Sequence, residues 1–426
     1  MKRRDLFWVA RQAALSAFAA TTINRRASFA EESQLGPNSA EERVAGLLQA
    51  YDAQGNHRTG TEVDNVSARW LAHEARQAGA QVSLEPFSFS RVDPQSCHVR
   101  IGEYRIDAVP LFDAGFTDPA GVEGKIGLLG TDAEIALVES EAAELGEPGT
   151  ERRDEVAEAR RSRHKAVVVV TRGARPGLYL LNASDFRKPF GPPMVQVSSI
   201  QSEWLRASAA AGAKATVVAY VNRTTREAFN VTAKVAGSVP GLGPIVVMAP
   251  RSAWWQGVSE QGSRLVCWLE AIRVLAAGKP ARDCLFVALS GHELGFLGIE
   301  PYIKRRPDLI KRAHAWIFYG SDLGSPRQRN RIHAADDALE RWAVEAMGEE
   351  GLAVDTRVRH DANARGEAGT IQRLGGRYFT VVCGSDVYHS PADRWPDAAD
   401  VSVLARYAKA FANGALKLAN ERRVPA

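Results

Sequence analysis

Residues 243–299 read GPIVVMAPRSAWWQGVSEQGSRLVCWLEAIRVLAAGKPARDCLFVALSGHELGFLGI, and this segment specifies the architecture expected for the chain. It contains two short apolar strands, 244–248 and 284–289, separated by a helical pattern over residues 262–277. Continuous apolar runs on either side of a helix are typical of a parallel sheet covered on both faces, because a βαβ crossover buries both sides of its strands. The segment therefore predicts an α/β fold built on a largely parallel sheet.

The residues that follow these two strands are the first candidates for a functional site. Sheets of this kind keep their chemistry beyond the carboxyl ends of the strands. Residues 250–261 follow the first strand and Gly291-His292-Glu293 follows the second, so we expect the two segments to meet at one edge of the sheet. Ser290 is the expected N-cap of a helix that begins there.

The composition is that of an ordinary globular protein, and it argues against two classes of partner. The 426 residues are 45% hydrophobic and 24% charged, which is typical of folded domains. Of the 54 basic and 50 acidic residues, six basic and one acidic lie within residues 1–30, which leaves 48 and 49 in the remainder and a net charge of −1 there. A nearly neutral body gives no electrostatic reason to bind nucleic acid or an anionic membrane.

The four cysteines give no sign of a metal cluster. Cys97, Cys267, Cys284 and Cys383 are far apart and form no Cys-x-x-Cys pair. The last three lie in apolar helix or strand patterns, so we expect them in the core. The sequence does not decide whether any of them pair in a disulfide.

Residues 1–30 have the features of an export signal. Lys2-Arg3-Arg4-Asp5-Leu6-Phe7 precedes a mildly apolar segment, and Ala27-Ser28-Phe29-Ala30 supplies small residues at the usual cleavage position. This pattern resembles a twin-arginine signal peptide and predicts a periplasmic or secreted protein. The alternative is a basic leader on a cytoplasmic protein. The apolar segment is too short for a membrane span, and none is expected in the mature protein.

Two regions of the chain resemble the M28 family of zinc peptidases. After a helix near 40–52, Gly55-Asn-His-Arg-Thr-Gly60 precedes a second helix, 62–78, and a strand, 81–89, as in that family. From Phe229 to the C-terminus, the order of elements and the local sequence also resemble M28. The resemblance implies an α/β fold with a mixed, mostly parallel sheet flanked by helices.

The alternation of strands and helices continues to the end of the chain. Apolar runs predict strands at 315–319 and 378–382, and helical patterns cover 336–349 and 399–420. These elements extend the sheet begun by the segment after Phe229.

An insertion divides the peptidase-like part. Residues 109–221 contain short apolar β runs around a charged segment, 133–163, that we predict to be largely helical. Pro189 to Ser199, followed by a helix, resembles a protease-associated domain, which is commonly inserted into M28 peptidases. The predicted organisation is therefore an M28-like domain, 38–108 and 222–426, around a smaller α/β protease-associated-like unit.

The resemblance implies a two-zinc site formed by His, Asp, Glu, Asp and His, with a further Glu as general base. Two such ions polarise an amide carbonyl and lower the pKa of the water between them. Here His292-Glu293 replaces the family's paired glutamates, which puts Glu293 at a ligand position and His292 at the position of the catalytic base. Tyr388-His389-Ser390-Pro391-Ala392-Asp393 resembles the closing motif, so His389 matches the last ligand. Glu260 replaces the bridging Asp.

Two ligand positions of the family are altered. The first His should end the strand before Pro250, but proline cannot bind a metal, and Arg251 next to it would bring a cation to the same place. The second Asp should end the strand 315–319. The simplest register puts Gly320 there, and Asp322 matches only after a shift of two residues. The metal site is thus partly degenerate.

One function that remains open is that of an exported hydrolase of peptide or related amide bonds. A single Zn²⁺ could be held by Glu260 or His292 together with Glu293 and His389, because three protein ligands and a water are sufficient for a catalytic zinc. His292 would then serve as the catalytic base. A two-zinc centre is not expected.

The other function is that of a catalytically inactive relative that binds a peptide or another small molecule without cleaving it. In that case Arg251, Trp254 and Trp255 would contribute to ligand binding alongside Glu260. Aromatic core packing is the competing explanation for the tryptophans, and a favourable position at a helix N-terminus is the one for Glu260.

Overall fold

The computed structural model describes residues 39–141, 154–326 and 329–422. The signal peptide predicted for residues 1–30 lies outside the described residues. Within the described ranges, no helix is both long and apolar enough to cross a membrane.

Helices and strands alternate along most of the described chain, as the sequence predicts. The helices are α1 (Ala40–Asp52), α2 (Glu62–Gln77), α3 (Glu155–Arg160), α4 (Ser202–Ala210), α5 (Ser263–Gly278), α6 (Ile299–Lys304), α7 (Leu309–Arg312), α8 (Asp337–Glu349), α9 (Gly366–Arg373) and α10 (Val401–Asn420). The strands are β1 (Gln81–Ile101), β2 (Tyr104–Asp107), β3 (Val109–Pro110), β4 (Val122–Leu128), β5 (Ile135–Glu141), β6 (Ala166–Arg172), β7 (Met194–Ser198), β8 (Lys214–Val235), β9 (Ile245–Pro250), β10 (Cys284–Leu289), β11 (Ala315–Tyr319), β12 (Arg331–Ala334), β13 (Thr356–Arg357) and β14 (Tyr378–Val382).

The main sheet has the order β13, β12, β14, β11, β9, β10, β8. β9 pairs in parallel with both β10 and β11, and β11 pairs in parallel with β14. β8 and β12 join this parallel centre in antiparallel fashion, one on each side. The predicted mixed, mostly parallel α/β sheet is confirmed, and β10 and β11 have the predicted bounds.

Two hydrophobic cores cover the two faces of this sheet. Val247 of β9 and Ile317 of β11 pack in one core with helices α1, α5, α8 and α10. Val246 and Trp316, their neighbours in the chain, pack in the other with α6, α7 and α9. Successive side chains of a strand point to opposite faces, so strands covered on both faces must be apolar at every position. This explains the uninterrupted apolar runs in the sequence.

A long antiparallel ribbon connects the main sheet to a smaller unit. The ribbon consists of β1 and β8, which are 21 and 22 residues long and pair along almost their whole length. Beyond β8 the sheet continues through β4, β5, β6 and β7 to β3. The core of the smaller unit includes Val99 and Ile101 from the far end of β1. Its packing therefore also uses residues that precede the predicted 109–221 segment.

In the described parts of the charged segment, 133–141 and 154–163, a strand replaces much of the predicted helix, so the helix prediction is wrong there. Ile135–Glu141 forms β5, which pairs in parallel with the valine-rich β6, and among the described residues of the segment only Glu155–Arg160 is an α-helix. Ile135 to Val138 are buried. Their burial between strands outweighs the helical preference of the neighbouring Ala and Glu residues.

The predicted helix start at Ser290 is also wrong. Gly291 has φ +89°, a short 3-10 turn covers His292–Leu294, and α6 begins only at Ile299. A side chain at Gly291 would place its Cβ 2.6 Å from Cβ of Leu297, so glycine permits this sharp turn. Ser290 does not cap a helix; its hydroxyl donates a hydrogen bond to Oδ2 of Asp64 at 3.0 Å.

Candidate functional site

The candidate site lies beyond the carboxyl ends of β9, β10, β11 and β14. A cavity of about 390 Å³ opens at this edge of the sheet. The polar and aromatic side chains that line it include Tyr179, Asn182, Arg264, His292, Phe318, Asp322 and Tyr388. The edge at which the sequence predicted a site is therefore the edge that carries a pocket.

The smaller unit forms one wall of the site through backbone contacts. The N–H of Leu180 donates to the carbonyl of His389 at 3.1 Å, and the N–H of Ala183 donates to the carbonyl of Glu293 at 2.8 Å. The hydroxyl of Tyr179 donates to the carbonyl of Asp386 at 3.1 Å. These bonds fix the wall against the two loops that carry predicted ligands.

Glu260 and His389 are brought together by the fold. Glu260 lies in the π-helical turn Val258–Gly262 that precedes α5, and His389 lies in the loop after β14 with φ +60°. Nε2 of His389 is 3.4 Å from Oε1 of Glu260, while Nδ1 is 2.6 Å from the carbonyl oxygen of Leu180. Because a carbonyl only accepts, Nδ1 carries a proton. Nε2 is buried and has no hydrogen-bond partner.

Glu260 is held in its charged form. Burial by itself would raise the pKa of this carboxyl, but the charge and proximity of His389, followed by the charges of Arg264 and His292, bring the pKa below its usual value. Gln261 also donates a hydrogen bond from Nε2 to Oε1 of Glu260 at 2.9 Å. Glu260 is therefore a buried anion that is surrounded by donors and cations of this chain.

Glu293 does not join this pair. Its Oε1 accepts hydrogen bonds from the N–H of Thr59 at 2.9 Å and from the Thr59 hydroxyl at 2.6 Å. Its Oε2 accepts a hydrogen bond from the hydroxyl of Ser252 at 2.7 Å. Glu293 is completely buried. Each of its carboxylate oxygens accepts at least one hydrogen bond from the protein.

Arg251 also points elsewhere. Its guanidinium forms a buried ion pair with Asp64 of α2, at 2.8 Å, and donates further hydrogen bonds to the backbone carbonyls of Asp64 and Phe229. Both side chains are fully buried. Arg251 therefore does not approach Glu260 or Glu293, and it does not line the cavity.

The two adjacent tryptophans pack with the same apolar cluster and do not line the cavity. Trp254 is 3% exposed and stacks on Phe112, with ring centroids 4.7 Å apart. Trp255 is half-buried, and its indole N–H donates to the carbonyl of His389 at 3.1 Å. Trp254 thus packs in the core between the two units, and Trp255 supports the loop of His389.

His292 faces the cavity and is oriented by a residue that the sequence analysis did not identify. Nδ1 of His292 lies 3.0 Å from both carboxylate oxygens of Glu367 in α9. Because a carboxylate accepts, Nδ1 carries a proton and the ring is fixed with its other nitrogen available for chemistry. This pairing of an imidazole with a buried carboxylate is one that proton-transfer sites use.

Asp322, whose register the sequence left open, does reach the edge of the sheet. Its Oδ1 accepts a hydrogen bond from the hydroxyl of Ser259 at 2.9 Å, and its φ is +65°. Burial, and then the charge of Glu260, raise the pKa of Asp322 to about 7. Gly320 carries no functional group because a Cβ there would lie 2.1 Å from the carbonyl oxygen of Val381.

Arg264, one turn beyond Glu260, is a cationic residue of this pocket. Its side chain lines the cavity although the residue is only 2% exposed. Nε and Nη1 are buried and have no hydrogen-bond partner, and Cζ lies 5.9 Å from the ring centroid of Phe318. No carboxylate of the described residues lies within 4 Å of the guanidinium. The cavity therefore contains an incompletely compensated buried cation.

These positions do not fit the two-zinc site that the family resemblance implies. Among the residues that the structure describes, no group of three or more His, Cys, Asp or Glu side chains is arranged to hold a metal ion. Glu260 and His389 approach each other, but Glu293 lies apart from them and accepts three hydrogen bonds from Thr59 and Ser252. A pair of donors is fewer than the three protein ligands of a catalytic zinc.

Comparisons with solved structures identify proteins with a similar fold. An aminopeptidase from Aneurinibacillus sp. strain AM-1 is 17% identical, with a TM-score of 0.67 over 90% of this chain and 95% of that one. A zinc aminopeptidase from Bacillus subtilis is 18% identical, with a TM-score of 0.69 over 90% and 94%. A Peptidase M28 precursor from Shewanella amazonensis SB2B is also 18% identical, with a TM-score of 0.69 over 91% and 98%.

This chain has an M28-peptidase-like fold. Coverage of nine tenths or more on both sides means that the likeness includes the smaller unit as well as the main sheet. Comparisons with protein-family models and with curated proteins find no match. Identities of 17–18% establish the M28-like fold, whereas activity depends on the residues at the site.

Two residues of the M28-like site were missed at the sequence level. Arg264 is the only charged residue between Gly262 and Leu269, and a lone cation in an apolar helical segment is a usable signal. Glu367 lies in an ordinary helix start more than 70 residues from His292, and nothing in the local sequence connects the two.

Proposed function

We propose that this protein binds a peptide or another small ligand in the M28-like cavity without a catalytic metal and without hydrolysing it. The observation that carries the proposal is the state of Glu293. Thr59 and Ser252 donate three hydrogen bonds to its two carboxylate oxygens, so only one of about four acceptor positions, on Oε2, is left for a zinc ion.

The charges at the site support the same conclusion. A zinc ion would normally neutralise the carboxylates that surround it, and in this chain His389 and Arg264 supply part of that effect by lowering the pKa of Glu260. Arg251 is paired with Asp64 and leaves the cavity free. The charge of Glu260 is therefore offset by side chains of this chain, and the cavity is large enough for a small organic ligand.

A hydrolase with one Zn²⁺ is the second candidate, because of a specific observation at His389. Its Nδ1 donates to the carbonyl of Leu180, and its Nε2 has no hydrogen-bond partner but lies 3.4 Å from Oε1 of Glu260. Metal-binding histidines usually have this orientation, with one nitrogen fixed by a backbone carbonyl. Such a zinc would supply Lewis acid chemistry, and His292, oriented by Glu367, would handle the proton.

Metal analysis separates the two candidates. The mature protein and a His389→Ala variant are purified without chelator, analysed for zinc, and assayed against aminoacyl and peptide substrates with and without micromolar zinc. We expect no stoichiometric zinc in either protein and no hydrolysis. One equivalent of zinc that is lost in the variant, together with hydrolysis by the parent protein only, would contradict the binding proposal and establish the hydrolase.

We also propose that the protein is exported from the cytoplasm. The paired arginines and small residues of 1–30 support a twin-arginine route to the periplasm or beyond the cell. Fractionation of cells that express the full chain, compared with an Arg3→Lys, Arg4→Lys variant, tests it. We expect the variant to remain in the cytoplasm with its leader attached.

A further inference from the structure

We propose that the cavity recognises a carboxylate of its ligand through Arg264, with an aromatic or apolar group of the same ligand beside it. This inference rests on the proposed binding function and specifies the class of ligand.

The first argument is the cost of burying Arg264 without a hydrogen-bonded anion, since Glu260 and Asp322 act on it only at longer range. Its guanidinium is almost completely buried, two of its nitrogens have no hydrogen-bond partner, and no described carboxylate lies within 4 Å. A buried charge without a partner is strongly unfavourable. An anion from the ligand would supply the missing partner, and a carboxylate matches the planar guanidinium geometrically.

The second argument is that Arg264 lines a cavity rather than a packed interior. The cavity is also lined by Arg329 and Arg365, which are both exposed. Among the described residues, three arginines therefore border a space that two carboxylates, Asp322 and Asp386, also line. The balance favours an anionic ligand.

The third argument concerns the aromatic residues that line the cavity. Tyr179, Phe296, Phe318 and Tyr388 line the same cavity, and aromatic surfaces of this kind favour an apolar or aromatic group. The guanidinium of Arg264 lies over the ring of Phe318. A small carboxylate that carries an aromatic side chain satisfies both features, and so does the C-terminal residue of a short peptide.

The test uses three probes: N-acetylphenylalanine, its amide, in which an uncharged carboxamide replaces the carboxylate, and inorganic phosphate. Binding is measured by isothermal titration calorimetry on the mature protein with chelator present and, separately, with added zinc. We expect the acid to bind and the amide to bind about tenfold to a hundredfold more weakly, the range for a hydrogen-bonded charged group. This comparison requires no variant and so does not depend on how a mutant folds.

Two variants connect the preference to Arg264. Arg264→Met should lose the preference for the acid, and Arg264→Lys should keep part of it because the charge remains. Arg273→Met is the matched control, since Arg273 lies on the same helix, is half-exposed and pairs with Glu270 away from the cavity. The control should bind as the parent protein does.

Each alternative result has a definite meaning. Equal affinity for acid and amide would overturn the carboxylate assignment and leave the binding function standing. Tighter binding of inorganic phosphate than of the acid would assign the subsite to phosphate instead. Binding that requires added zinc and is unchanged in Arg264→Met would overturn both this inference and the proposed function. Failure of all three probes to bind would overturn this inference alone.

Discussion

The guanidinium of Arg251 lies 2.8 Å from Oδ1 of Asp64, and both side chains are completely buried. The cation that follows strand β9 is therefore used inside the protein and not in the cavity. Asp64 also accepts hydrogen bonds from Ser290 and from the N–H of Gly60. The pair thus joins helix α2 to the carboxyl ends of two central strands.

Removal of one partner of this pair should destabilise the protein strongly. Arg251→Met leaves the Asp64 carboxylate buried without its cation, and we expect a loss of about 3–5 kcal/mol in the free energy of unfolding. Chemical denaturation measures the loss. The double variant Asp64→Asn, Arg251→Met should lose less than the two single variants combined, and strict additivity would contradict the coupling. Arg273→Met, a more exposed pair, should cost no more than about 1 kcal/mol.

The hydrogen bond from Thr59 to Glu293 gives a second prediction. Thr59→Val keeps the shape of the side chain but removes the hydroxyl that donates at 2.6 Å to a buried carboxylate. We expect a loss of about 1–3 kcal/mol in unfolding free energy. Thr59→Ser, which retains the donor, is the control and should lose less. An increase in zinc affinity of Thr59→Val would further indicate that Glu293 is withheld from metals by these bonds.

Asp322 gives a prediction about pH. Its pKa in the folded protein, about 7, is above the unfolded value because burial and Glu260 disfavour the charged form. The folded state therefore holds this proton more tightly, and its contribution to stability is complete below about pH 4 and is lost as the pH rises to 7. The difference in unfolding free energy between the parent and Asp322→Asn should fall over this range. A pH-independent difference would contradict the assignment.

Gly320 gives a prediction about the edge of the sheet. Gly320→Ala would place its Cβ 2.1 Å from the carbonyl oxygen of Val381, and backbone atoms at this position cannot move cheaply. We expect a loss of about 1–3 kcal/mol or more, measured by thermal and chemical unfolding. Gly348→Ala is the control, because its Cβ would meet nothing within 4 Å inside α8; it should be neutral or stabilising. Equal effects of the two substitutions would contradict the explanation.

The fold was largely predictable because its strands and helices are encoded locally. Apolar runs such as 284–289 and 315–319 form strands with the predicted bounds, since burial on both faces leaves no polar positions in them. The helix predicted after Ser290 failed because a positive φ at Gly291 depends on how closely Leu297 approaches. The helix predicted over 133–163 failed at Ile135–Glu141 for a related reason, because this segment pairs as a strand with β6, which is distant in sequence.

By itself the sequence determined the M28-like architecture, the edge of the sheet where a site would lie, and the candidates Glu260, His292, Glu293 and His389. Only the tertiary structure decided which of them meet. His389 meets Glu260, whereas Glu293 is occupied by Thr59 from a loop more than 200 residues earlier. Hydrogen bonds and ion pairs between distant segments depend on side-chain direction at Ångström precision, which residue order does not encode. For this reason the partners of Glu293 and His292, and the lack of one for Arg264, became visible only in the folded chain.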